Sequence, residues 1–192
     1  MHALQTTFLL ALLVVFCSAG TRIGKCPATY ETKQNFDLAS YVGDWYQLAR
    51  DKAVLYGRGE CSTATYVPDV QRPDEAFVLN QQRKTKTDET KEFPIFGKVK
   101  PTGESGRFEL TFSTVFAKGT YDVLETDYKT YSVVYTCGTV AGFITTERVW
   151  ILSREPSLSQ GKIDDILDSI ERNTGYSRNN LLFTDQSDCG WQ

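Results

Sequence analysis

Residues 146–173 read TERVWILSREPSLSQGKIDDILDSIERN, and this stretch decides the architecture. Its first part alternates. Arg148, Trp150, Leu152 and Arg154 share one face of an extended chain, with Val149, Ile151 and Ser153 on the other. A strand that is apolar on both faces must be covered on both. The second part supplies one cover: over 158–173, Ile163, Ile166, Leu167 and Ile170 fall at i, i+3, i+4 and i+7, a single apolar stripe. Ser157 or Ser159 can cap this helix, Gln160 completes a capping box from Ser157, and Gly175 can end it. One amphipathic helix directly after such a strand is expected to pack on the outside of a curved sheet. A short strand at 181–183 follows.

Working back toward the N-terminus, further strands are expected at 44–50, 60–68, 75–84, 90–100, 106–114, 118–125 and 129–137, with 146–154 as the last. Turn residues punctuate the series at Pro68-Asp69, Pro73-Asp74, Pro101-Thr102-Gly103 and Lys118-Gly119. In 106–114, Phe108, Leu110 and Phe112 alternate with Arg107, Glu109, Thr111 and Ser113. No helical pattern interrupts the run, so βαβ crossovers are excluded and the sheet is antiparallel. A sandwich or an up-and-down barrel fits this series.

The remaining features bound the function. The apolar run Phe8–Phe16, followed by Ser18, Ala19 and Gly20, reads as a secretory signal peptide over 1–20, leaving one domain over 21–192. The run is too short to span a bilayer. Phe16 before Cys17 argues against lipidation, and the end QSDCGWQ has no hydrophobic tail, so a secreted, extracellular protein is expected. A net charge of −3 with no basic stripe argues against a nucleic-acid partner. The single histidine is His2, inside the signal, which removes Ser-His-Asp and Cys-His catalysis and imidazole metal ligands. Cys26, Cys61, Cys137 and Cys189 stay after the signal leaves; an even count in an exported chain implies two disulfides, with three pairings open. These cysteines are too widely spaced for a zinc site.

Three segments resemble the lipocalin signatures. Tyr41-Val42-Gly43-Asp44-Trp45-Tyr46 resembles the first, Thr126-Asp127-Tyr128 the second, and Arg154 at the end of VWILSR the third. GKCP at 24–27, GECSTATY at 59–66, TDYKTYSVVYTC at 126–137 and FTDQSDC at 183–189 are similar to the branch holding apolipoprotein D, bilin-binding proteins, insecticyanins, Lazarillo and crustacyanin subunits. The resemblance implies an eight-stranded antiparallel up-and-down barrel with one C-terminal helix outside, and the pairings Cys26–Cys137 and Cys61–Cys189. It implies structural roles for Gly43, Trp45, Thr126, Asp127, Tyr128 and Arg154, with Arg154 stacked on Trp45 at the closed end.

It also implies a carrier of one small hydrophobic ligand, not an enzyme: a lipocalin branch that isomerises a lipid uses a free strand cysteine, and here all four positions match cystines. A bilin, carotenoid, retinoid, fatty acid or sterol would fit; the only cofactor implied is a bound bilin or carotenoid chromophore. The alternatives are a pigment-complex subunit acting through protein association, with oligomeric state open, and, behind it, a lipid-modifying isomerase. Inward parity follows strand by strand. With Cys137 outside, Ser132, Val134 and Thr136 point in, and Arg148, Trp150 and Leu152 share the face of Arg154. The resemblance adds Tyr66; Phe77, Leu79, Gln81 and Arg83; Phe93 and Ile95; Phe108, Leu110 and Phe112; and Tyr121 and Val123. Trp150 reads as a ligand contact. Arg83 and Arg148 read as mouth residues reaching solvent, or as partners for a ligand's acidic group. Loop 51–59, with Val54, Leu55 and Tyr56, reads as a lid, a tip that touches membrane transiently, or a plain surface loop.

Overall fold

The computed structural model describes residues 21–54, 59–83, 94–113 and 117–189. The signal segment 1–20, Leu55, Tyr56 and Phe93 lie outside the described residues. Eight strands form the barrel: β2 (Gly43–Asp51), β3 (Glu60–Asp69), β4 (Arg72–Arg83), β5 (Ile95–Pro101), β6 (Arg107–Phe112), β7 (Ala117–Thr126), β8 (Tyr131–Val140) and β9 (Ile144–Ser153). Each pairs antiparallel with the next, and β9 returns to β2, which closes the wall. Two three-residue strands extend the sheet outside the closure. β1 (Thr21–Ile23), which the sequence did not reveal, pairs with β9; β10 (Leu181–Phe183) pairs with β2.

The helix stands where the apolar stripe placed it. α2 (Gln160–Thr174) buries Ile166, Leu167 and Ile170 against Val133, Tyr135, Val149 and Ile151, the outer residues of β8 and β9. Its cap is Ser159, whose hydroxyl accepts from the Lys162 amide, and not Ser157. Gln160 turns forward to Asp164 instead of completing a capping box. Gly175 ends the helix in the left-handed conformation.

A short helix, α1 (Leu38–Tyr41), lies at one end of the barrel and runs straight into β2. Trp45 is fully buried there, and the Arg154 guanidinium stacks 3.6 Å from its ring centre. The same guanidinium donates to the carbonyls of Ser40, Tyr41, Val42, Asp44 and Tyr128. Gly43 has φ +99, and a β-carbon there would stand 3.3 Å from Arg154 Nη1, so the stack requires glycine at this position. In the turn after β7, the Asp127 carboxylate accepts from the amides of Lys129, Thr130 and Tyr131, and Thr126 bridges Tyr128 N and Tyr131 O. The three signature segments thus form one closed end.

One strand departs from the expected parity. β4 turns Ala76 and Val78 inward and Phe77 and Leu79 outward. The register explains it. Tyr66 pairs with Val78 and Val67 pairs with Phe77, and directly opposed residues share a face. An inward Tyr66 therefore excludes an inward Phe77. Outside, Phe77 is 48% exposed, with the Lys98 ammonium 4.8 Å from its ring centre.

Arg154→Met keeps the stem packed on Trp45 but removes the guanidinium donors from five carbonyls, of which that of Tyr41 keeps the Trp45 indole N–H. It is expected to cost about 3 kcal/mol of stability, read by urea unfolding with both cystines intact; a loss under about 0.5 kcal/mol would show that the closed end does not depend on the guanidinium.

Candidate ligand-binding cavity

Above the closed end the barrel encloses a cavity of about 290 Å³. Its walls combine Leu110 and Phe112 of β6, Val134 of β8, Trp150 and Leu152 of β9, Ile95 of β5 and Val78 of β4. Gly97 makes room for one of these rings: a β-carbon at this position would lie 2.8 Å from Phe112 Cδ1. Polar groups also line it, namely Gln47, Ser62, Thr63, Asn80, Gln81 and Thr120. None of the described residues lining the cavity carries a charge.

The deep end is a chain of hydroxyls. Tyr66 Oη lies 2.7 Å from Tyr121 Oη, which lies 2.8 Å from Tyr41 Oη, which lies 3.0 Å from Ser132 Oγ. All four side chains are buried, and Tyr66 and Tyr121 face the cavity. The rings pack edge-on and tilted around Tyr41, with centroids 5.3 Å (Tyr66) and 5.1 Å (Trp45) away. Burial pushes the Tyr41 phenol up to about 12 and those of Tyr66 and Tyr121 well above their ordinary value.

Two disulfides fasten the chain ends to the outside of this wall, Cys26–Cys137 and Cys61–Cys189, the pairings the resemblance implied. A family model described as a lipocalin-like domain matches residues 36–186, most of the chain.

The chain belongs to the lipocalin family.

Apolipoprotein D of Mus musculus is 30% identical over 187 residues, which is 95% of each chain. Among solved structures, insecticyanin from the tobacco hornworm Manduca sexta superposes with a TM-score of 0.73 at 20% identity, covering 91% of this chain and 93% of that one. Lobster apocrustacyanin A1 superposes with a TM-score of 0.73 at 18% identity, covering 89% and 93%. At these identities the two structures speak for the fold.

The lipocalin cavity gathers part of the residue set read from the sequence. Tyr66, Gln81, Ile95, Leu110, Phe112, Tyr121, Val134, Trp150 and Leu152 line it. Phe108 and Val123 point inward but lie in the packed core with Trp45 and Tyr41. Ser132 sits one hydroxyl behind the cavity wall. The Thr136 hydroxyl bonds to that of Thr120, at 2.8 Å. Arg148 does not line the cavity: its guanidinium donates to its neighbour's carbonyl at Glu147 and reaches Asp51 at 3.8 Å. Phe77 and Leu79 are outside, for the reason of register given above. Arg83 ends β4 opposite Glu60, its side chain outside the described set.

Sequence reasoning missed Tyr41 in the floor and the inward Val78, Asn80 and Gly97. A glycine inside a strand signals close approach, so Gly97 carried a readable mark. Tyr41 was marked only as part of the first signature segment, with no sign of a place in the floor, because it precedes the first barrel strand, where alternation says nothing.

The phenols supply a pH prediction. Unfolded tyrosines ionise near 10, whereas these three stay neutral to higher pH in the fold. Their contribution is full below pH 10 and is lost as pH rises toward the folded values. Tyrosinate absorbance should therefore show the three ionising only together with loss of the barrel; reversible ionisation near pH 10 with the barrel intact would contradict their burial.

Proposed function

We propose that this lipocalin binds and carries one small hydrophobic molecule, held inside the barrel, outside the cell. The observation that carries the reading is the cavity in the barrel, with apolar rings, a few amides and hydroxyls and no charge among the described residues that line it. A charged ligand group would lose its hydration there without gaining a partner. The cargo is therefore a molecule whose buried part is uncharged, and any acidic group stays at the mouth. Two cystines in one domain fit an oxidising compartment. Carriage rather than catalysis is supported by the cystines, which engage Cys26, Cys61, Cys137 and Cys189 and leave none of them as a thiol nucleophile.

The test is a tryptophan-fluorescence titration of the disulfide-intact protein with biliverdin, retinoic acid, astaxanthin, a long-chain fatty acid and progesterone. Trp150 lines the cavity, whereas Trp45 is sealed under Arg154. Saturable quenching by at least one ligand class at micromolar concentration or below is expected, and Trp150→Phe should remove most of its amplitude. No saturable response to any of the five would overturn the carrier reading.

A further inference from the structure

The floor of the cavity has a proton imbalance. Tyr66, Tyr121, Tyr41 and Ser132 bring four hydroxyls, joined in line by three hydrogen bonds. Each bond consumes one O–H. One O–H is therefore left over, wherever the chain begins. If it rests on Ser132 or Tyr41, a fully buried donor has no acceptor. If it rests on Tyr66 or Tyr121, an acceptor held in the cavity can meet it, because both residues line that cavity. A buried donor without a partner is costly, so an acceptor in the cavity draws the spare proton to the Tyr66–Tyr121 end. The hydroxyl chain can reverse direction by rotating O–H bonds alone, with no movement of heavy atoms.

The surroundings select the acceptor. Among the described residues, the nearby cation is Arg154, which lies beyond Trp45 and gives its donors to five backbone carbonyls. A carboxylate at the floor would be buried without a countercharge. A neutral carbonyl or ether oxygen needs only the one hydrogen bond that is available.

We infer that the Tyr66–Tyr121–Tyr41–Ser132 chain is a polar anchor for the neutral oxygen of a carbonyl-bearing ligand, which enters that end first. The ligand's apolar body then lies upward along Leu110, Phe112, Val134 and Trp150. This rests on the carrier reading above and adds to it the ligand's orientation and the chemistry of its buried end.

The experiment uses one conjugated tetraene skeleton in three forms: the methyl ketone, the parent hydrocarbon and the carboxylate (parinaric acid). All three report binding by their own fluorescence. The unmodified protein should bind the ketone roughly tenfold more tightly than the hydrocarbon, the worth of one net hydrogen bond. The double substitution Tyr66→Phe, Tyr121→Phe should bring the ketone down to the hydrocarbon's affinity and leave the hydrocarbon and carboxylate unchanged. Infrared spectra of the ketone bound to the unmodified protein should show its carbonyl stretch lowered from the value in hexane, a readout that stands even if the double variant fails to fold. Ketone and hydrocarbon affinities within twofold, an unshifted carbonyl stretch, or an equal loss for all three ligands in the variant would each overturn the anchor while leaving the carrier reading in place. Failure of all three forms to bind the unmodified protein would overturn both.

Discussion

The guanidinium of Arg154 is the point on which this barrel is assembled. It lies flat on Trp45 and gathers five carbonyls that come from α1, the start of β2 and the turn between β7 and β8. α1 and β2 are continuous, but the turn is far from them in sequence and no strand pairing joins it to them at this end. A planar donor with several N–H groups fixed in direction can satisfy them together, which an ammonium on a flexible stem could not. Gly43 leaves space for it, and Asp127 with Thr126 shapes the turn that delivers Tyr128.

From that closed end upward, packing gives way to space. Phe36, Tyr41, Trp45 and Phe108 fill the base ring against ring. Higher up, small residues replace large ones on the inner face: Ala64 and Val78 line the cavity, and Gly97 makes room for Phe112. The cavity exists because these residues are small and the wall around them is held by continuous pairing from β2 to β9. The charges nearest to the wall are spent on each other or on the backbone, as with Arg148 and Asp51 at the mouth and Lys98 with Asp69 and Glu75 outside. Among the described residues, the polar groups that line the interior are hydroxyls and amides without formal charge.

Much of this was legible in the sequence, for physical reasons that can be named. Period-two alternation located the strands, and a 3.6-residue stripe located the helix, because in each case one face is in contact and the other is wet. β9 was legible as a strand covered on both sides because Val149 and Ile151 are as apolar as Trp150 and Leu152. The same property defeated the reading of β4. Ala76 and Val78 on one face and Phe77 and Leu79 on the other are all apolar, so alternation alone cannot say which is inside; only the register with Tyr66 does. Arg148 shows a different limit: its strand position is as read, but where a long side chain places its charge depends on a partner, Asp51, that lies on another strand. β1 was too short to leave a pattern.

The two cystines have a topological consequence. Residue 61 lies within the loop closed by Cys26–Cys137, and residue 189 lies beyond it, so the loops, spanning separations of 111 and 128 residues, interleave. Heat or denaturant can melt every strand, yet the chain remains a double ring whose two ends cannot drift far from the middle. The denatured ensemble is smaller than that of a free chain of this length, and its entropy correspondingly lower. A barrel built on contacts between distant residues ordinarily has to find them from a much wider search; here the oxidised chain, once unfolded, already holds two of the longest-range ones.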